Sequence, residues 1–216
     1  MAENGSLILT SKFDEALAYA VDLHRTQPRK GTGVPYVSHL LSVAALVLEH
    51  GGTEEQAIAA LLHDAVEDQG GRPTAEAIRA RFGDLVADIV DGCTDTDQSP
   101  KPPWRERKEA YLARVRNEPA HVRLVSAADK LHNARTMVTD LRILGPVLWN
   151  NFNAGRDETL WYLGALVEAF REAGTMPIVE EVHGLLFEDA SPKESVARLM
   201  SRPLTSEDGG AIALPR

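Results

Sequence analysis

The sequence passes from a run without a polar residue, Ala57–Leu62 (A-I-A-A-L-L), straight into H-D-A-V-E-D at residues 63–68. Few folds can accommodate that. A run apolar on every side reads as a helix buried on most faces, and charged groups at its end need partners because unpaired buried charge is expensive. Glu67 and Asp68 follow His63 and Asp64 at a spacing of four. Residues four apart share a helix face, so this stretch can present an imidazole and three carboxylates around one small volume. A divalent cation is the simplest partner. Two of the four residues could ligate it, and two could serve as acid and base beyond it. The competing reading is a His–Asp pair satisfied within the core, followed by a solvated helix end.

Helical periodicity dominates the rest of the chain. Lys12–Arg25 is apolar at 13, 16, 17, 20, 21 and 23, with Ser11 as a cap. A second helix lies within Tyr36–His50, with Ser38 as its cap and Gly51-Gly52 as its stop. Thr53 and Gln56 form a capping box for a third helix, expected to run to the Glu67-Asp68 pair and break at Gly70-Gly71. Further helices are expected at Thr74–Phe82 with Thr74 as cap, then Asp84–Asp91, Trp104–Asn117, Val122–Arg135, Asp157–Ala173 and Val179–Phe187. Most cations of the Trp104–Asn117 helix are expected to face water. No useful strand alternation, internal repeat or glycine-rich phosphate loop occurs, so the expected class is all-α. Residues 1–190 read as one domain and 191–216 as a polar tail. Residues 95–103 (D-T-D-Q-S-P-K-P-P) form either a flap over a site or a connector.

Charge and cysteine content narrow the function. A net charge of −9 over 216 residues argues against a general nucleic-acid or anionic-membrane binder, though not against a local basic pocket. Arg29 and Lys30 are one basic pair in a loop, suited either to solvent or to phosphate. Cys93 is the only cysteine, which excludes an internal disulfide and a zinc–thiolate cluster. The polar start M-A-E-N-G-S and the lack of an apolar run near the roughly 20 residues of a membrane span predict a cytoplasmic protein.

Two more residues join the candidates. His39 falls in the first turn of the second helix, and Asp129 follows two alanines in an apolar sequence, with Asn133 on the same face four residues on. His39, His63, Asp64 and Asp129 together offer two imidazoles and two carboxylates from three predicted helices. That nitrogen and oxygen set suits Mn²⁺, Fe²⁺, Zn²⁺ or Mg²⁺, and such a cation can supply hydroxide near neutral pH.

The order H…HD…D resembles that of the HD-domain phosphohydrolases. More narrowly, R-K-G-T-G-V-P-Y-V-S-H (29–39), A-L-L-H-D-A-V-E-D (60–68), F-G-D-L-V-A (82–87), E-R-K (106–108) and A-D-K-L-H-N-A-R (128–135) resemble the hydrolase domain of RelA/SpoT homologues, especially the stand-alone small alarmone hydrolases. The resemblance implies an HD-type helical bundle that releases pyrophosphate from the ribose 3′ position of guanosine tetra- or pentaphosphate. It implies His39, His63, Asp64 and Asp129 as ligands to Mn²⁺, and Glu67 and Asp68 as the acidic pair that positions or deprotonates water. Arg29, Lys30, Tyr36, Lys108, Asn133 and Arg156 correspond to substrate-side positions. Leu40 departs from the proline frequent after the histidine, and the 95–103 loop is of its own kind. The expectation is a chain that degrades the alarmone and carries no synthetase domain. Two other readings use the same residues: a phosphohydrolase of another nucleotide, such as an adenosine alarmone, a nucleoside monophosphate or a phosphorylated dinucleotide, and a catalytically silent nucleotide sensor.

Overall fold

The computed structural model describes residues 7–96, 98 and 100–188. The predicted tail at 191–216, residues 189 and 190, and the start at 1–6 lie outside the described residues. The all-α expectation holds: among the described residues there is no strand, only an isolated antiparallel bridge between Pro28 and Pro35.

Helices α1 (Ser11–Leu23), α2 (Val37–Glu49) and α3 (Glu54–Leu62) open the fold, with α3 in the middle. Residues 56–62 of α3 are buried on every side. The helix packs against α1 and α2, then against α6 (Asp84–Cys93) and α8 (Ala120–Leu144), which follow α4 (Ala65–Asp68), α5 (Arg72–Phe82) and α7 (Trp104–Val115). Fully buried Ala16 and Ala20 let α1 approach α3 closely. Beyond α8 come a 3₁₀ segment (Gly145–Asn151), α9 (Gly155–Ala173) and α10 (Pro177–His183), which ends in a π turn at Gly184–Glu188. One contiguous apolar cluster runs from Ala16 to Leu186.

The Thr53–Gln56 capping box is present in full, and the Gln56 amide reaches on to the His121 carbonyl at 2.9 Å. Three other predicted caps differ. Thr10, not Ser11, caps α1, because Glu54 of α3 accepts from the Thr10 N–H and fixes it as the turn residue. No side chain caps α2, whose first residue is Val37, so Ser38 is already inside the helix. Thr74 lies within α5, which starts at Arg72-Pro73; its hydroxyl donates instead to the Gln69 carbonyl at 2.8 Å. Pro73 had marked that start, since proline suits the first helical turn. The helix read as Val122–Arg135 continues to Leu144, its buried face extended by Met137 and Leu141.

Gly52 joins α2 to α3 where any side chain would collide. A Cβ there would lie 2.5 Å from Val47 Cγ1 and 2.8 Å from the Val47 carbonyl oxygen. The backbone oxygen cannot rotate away, so Gly52→Ala is expected to destabilise by about 1–3 kcal/mol. A lowered urea midpoint at unchanged slope checks this; an unchanged midpoint refutes it.

Candidate metal centre

The third helix does not run through the acidic pair as the spacing predicts. It ends at Leu62, His63 and Asp64 form a turn, and only the single turn α4 follows. His63 Nδ1 donates to the Ala60 carbonyl at 2.8 Å, taking up an acceptor at the end of α3. That bond keeps a proton on Nδ1 and leaves Nε2, the nitrogen open to a metal, facing inward. The break turns Asp64 toward the same point.

His39, on the first turn of α2, and Asp129, in the middle of α8, complete the group. His39 Nε2 lies 3.2 Å from Asp129 Oδ1 and 3.5 Å from Asp64 Oδ2. His63 Nε2 lies 3.0 Å from Asp64 Oδ2 and 3.7 Å from Asp129 Oδ1. Both Nε2 atoms are buried without a hydrogen-bond partner. Ligand atoms about 3.0–3.5 Å apart are what surround a cation bound at about 2.1 Å. Two orphaned imidazole nitrogens facing two carboxylates therefore fit a divalent metal. His39, His63 and Asp129 offer donor atoms all within 4.8 Å of one another, and Asp64 Oδ2 lies beside the two imidazole nitrogens.

The surrounding charges agree. Burial alone would raise both carboxyl pKa values. Instead positive charge holds both well below the usual carboxylate range: Lys130 beside Asp129, and beside Asp64 the His63 imidazole, whose own pKa the two carboxylates raise against its burial, so that a divalent cation would take the place of its second proton. Lys130 Nζ is 2.6 Å from Asp129 Oδ2, the oxygen turned away from the histidines.

His39 is oriented by a residue that the sequence reading did not single out. Its Nδ1 lies 2.7 Å from His132 Nδ1. With Nε2 turned to the site, His39 carries its proton on Nδ1 and donates to a neutral His132. Burial, with the neighbouring His39 and Arg29, lowers the His132 pKa to about 4, so it remains an acceptor. His132→Leu is expected to weaken metal binding roughly 10- to 100-fold. Calorimetric titration of the metal-free protein checks this, and wild-type affinity would exclude the orienting role. The signal was available in A-D-K-L-H-N, where His132 stands three residues after Asp129.

The other predicted residues distribute around this centre. Tyr36 donates its hydroxyl to Asp64 Oδ2 at 2.5 Å. Asn133 donates to Asp129 Oδ1 at 2.5 Å and accepts from Arg29 at 2.8 Å, and the Arg29 guanidinium lies 5.6 Å from the Tyr36 ring centre. Lys30 reaches Asn153 at 2.7 Å, tying its loop to the segment that leads into Arg156 and α9. Glu67 and Asp68 point to different partners: Lys101 Nζ at 2.7 Å for Glu67, and Gln27 Nε2 at 2.8 Å for Asp68. Lys108 is turned into an ion pair with Asp95 at 3.1 Å, alongside Arg107. Arg114 also donates to the carbonyls of Gly92 and Thr94, so two cations of α7 hold the start of the 95–103 loop and a third the end of α6 just before it.

Helices arranged in this way around paired imidazoles and carboxylates define a class, and the chain belongs to the HD domain family, which it matches over residues 16–159. A divalent-metal site is what that family implies, and His39, His63 and Asp129 supply the donors. The chain is 34% identical over 183 residues to guanosine-3′,5′-bis(diphosphate) 3′-pyrophosphohydrolase MESH1 of Xenopus tropicalis, covering 83% of this chain and 92% of that protein. It is also 34% identical over 197 residues to a probable GTP pyrophosphokinase of Mycobacterium leprae, covering 89% of this chain but spanning only 23% of that protein. Among solved structures it is similar to a metazoan ortholog of SpoT that hydrolyzes ppGpp, with a TM-score of 0.69 and 29% identity over 83% of this chain and 96% of that one. Among the described residues no helix is long and apolar enough to cross a membrane.

Proposed function

We propose that this chain is a metal-dependent hydrolase of guanosine tetra- and pentaphosphate, releasing pyrophosphate from the ribose 3′ position and leaving GDP or GTP. The observation that carries the reading is the pair of buried, unpartnered imidazole nitrogens facing Asp64 and Asp129, with two further carboxylates one turn beyond. The similarity to MESH1 and to the SpoT ortholog supplies the substrate. His39, His63, Asp64 and Asp129 would hold the cation, Mn²⁺ in this reading, which when bound lowers the pKa of a water to near neutrality.

The chain's own groups do the rest. Glu67 and Asp68 orient the attacking water or take its proton, a task for carboxylates left out of the ligand set. Arg29 and Lys30, in the loop beside Tyr36 and Asn133, neutralise a highly anionic nucleotide together with Lys108 and Arg156. Residues 1–190 act as one hydrolase unit, supported by the unbroken core from Ala16 to Leu186. The substrate is a small nucleotide handled in the cytoplasm.

The test is pyrophosphate release by Mn²⁺-loaded protein from guanosine tetraphosphate and from its adenosine counterpart. Guanosine turnover supports the proposal, and turnover of the adenosine compound alone moves the substrate while keeping the chemistry. Release from neither, with metal bound, overturns it.

A further inference from the structure

His24 closes α1 at its carboxyl end and is 2% exposed, yet its Nε2 has no hydrogen-bond partner. An unpaired buried polar atom costs about 1–3 kcal/mol. An apolar ring of similar size would pack there without that cost, so the reason for a histidine lies with its other nitrogen. His24 Nδ1 is 2.8 Å from Gln27 Oε1, and Gln69 Nε2 bonds the same oxygen. Gln27 Nε2 in turn donates to Asp68 Oδ2 at 2.8 Å.

These partners determine the protons. A carboxylate only accepts, so Asp68 must receive the Gln27 N–H; that leaves the Gln27 oxygen for two donors, and His24 must carry its proton on Nδ1. Burial lowers the His24 pKa, which keeps the ring neutral and that tautomer in place. The ring also stacks on Tyr36, with centroids 5.2 Å apart and planes 14° apart.

We infer that His24 and Gln27 are positioning residues for Asp68: the buried Nδ1–H of His24 locks the Gln27 amide, whose N–H holds one oxygen of Asp68 and leaves the other to the reacting water. The inference rests on the hydrolase reading of Asp68 above. Without the His24 proton, the Gln27 oxygen keeps only the Gln69 donor, and the amide is free to swing away from Asp68 and release it from its orientation. The choice of an amide is itself informative. A cation against Asp68 would hold it ionised and weaken it as a proton acceptor, whereas a neutral donor aims it at a smaller cost in basicity. Glu67, by contrast, is held by the cation of Lys101. The two members of the acidic pair are therefore oriented by different means.

The test uses His24→Phe, which keeps a ring against Tyr36 but lacks the donor, and His24→Asn, whose amide N–H falls near the place of Nδ1. Nitrogen-15 NMR of the protein loaded with diamagnetic Mg²⁺ follows the Gln27 side-chain amide. Steady-state kinetics with Mn²⁺ and guanosine tetraphosphate follow turnover. We expect slow solvent exchange of the Gln27 amide in wild type and His24→Asn, and its loss in His24→Phe. In the same variant kcat falls roughly 10- to 100-fold, the scale for outer-shell partners, while KM and metal content hold and His24→Asn recovers most of the rate. Gln27→Leu, at a half-buried position, should match the His24→Phe defect and tests the same link if the phenylalanine variant fails to fold. A protected Gln27 amide in His24→Phe, or wild-type kcat in both His24→Phe and Gln27→Leu, overturns the inference. Absence of turnover in the wild type would instead defeat the substrate reading, and the amide exchange would still decide whether His24 locks Gln27.

Discussion

Asp64→Ala is expected to abolish divalent-metal binding, lowering affinity by well over 100-fold, beyond what loss of an outer-shell partner costs. Asp64 Oδ2 faces both unpartnered imidazole nitrogens, at 3.0 Å from His63 and 3.5 Å from His39, so its removal takes away the anion nearest to His63 and one of the two beside His39. Asp129 cannot substitute for it. Its outer oxygen is engaged by Lys130 at 2.6 Å and its inner oxygen by Asn133 at 2.5 Å. Metal content of the purified variant, with calorimetric titration of Mn²⁺ into the stripped protein, measures the effect. Full metal occupancy would remove Asp64 from the ligand set.

Glu67→Ala should have the opposite profile: metal retained, turnover reduced by roughly 10²- to 10⁴-fold, the range for a positioned acid or base. Glu67 touches none of the four candidate ligands in the structure; its partner is Lys101. The variant therefore also frees a lysine, and Lys101→Met separates the two causes. If the tether alone mattered, Lys101→Met would reproduce the loss; if the carboxylate acts on water, Lys101→Met retains most of the rate. Pyrophosphate release at saturating substrate, with metal measured on the same samples, decides between them. Activity surviving in Glu67→Ala would withdraw Glu67 from the reaction.

The parts of the molecule legible in the sequence are those fixed by residue identity within one short stretch. H-D-A-V-E-D and A-D-K-L-H-N each carry their donors within a turn or two of helix, and the apolar run before His63 identified the buried helix that presents them. Features that depended on a distant partner were not legible. Two adjacent hydroxyls, Thr10 and Ser11, compete to cap α1, and Glu54 of α3 decides between them. Arg107 and Arg114 read as solvated cations, and Lys108 as a substrate-side one by resemblance, because Asp95 and the carbonyls of Gly92 and Thr94 lie outside their own helix. His24 and Gln27 gave no sign of their role, since Asp68 meets them only after α1 and α4 have packed. The interruption at His63–Asp64 was hidden for a different reason: helical spacing holds on both sides of the break, and only the bond from the His63 ring to Ala60 marks it.

The four facing donors come from α2, from the α3–α4 turn and from the middle of α8, segments far apart along the chain. A cation held there is a cross-link between distant parts of the polypeptide as well as a chemical tool. A ligand that binds only the folded state adds about 2.7 kcal/mol at 100 times its dissociation constant, a large share of the 5–15 kcal/mol that typically separates folded from unfolded chains. Melting temperature should therefore rise with free metal and fall under chelation. Since the unfolded fraction is what cellular proteases remove, the amount of this protein, and not only its turnover rate, would follow the supply of its metal.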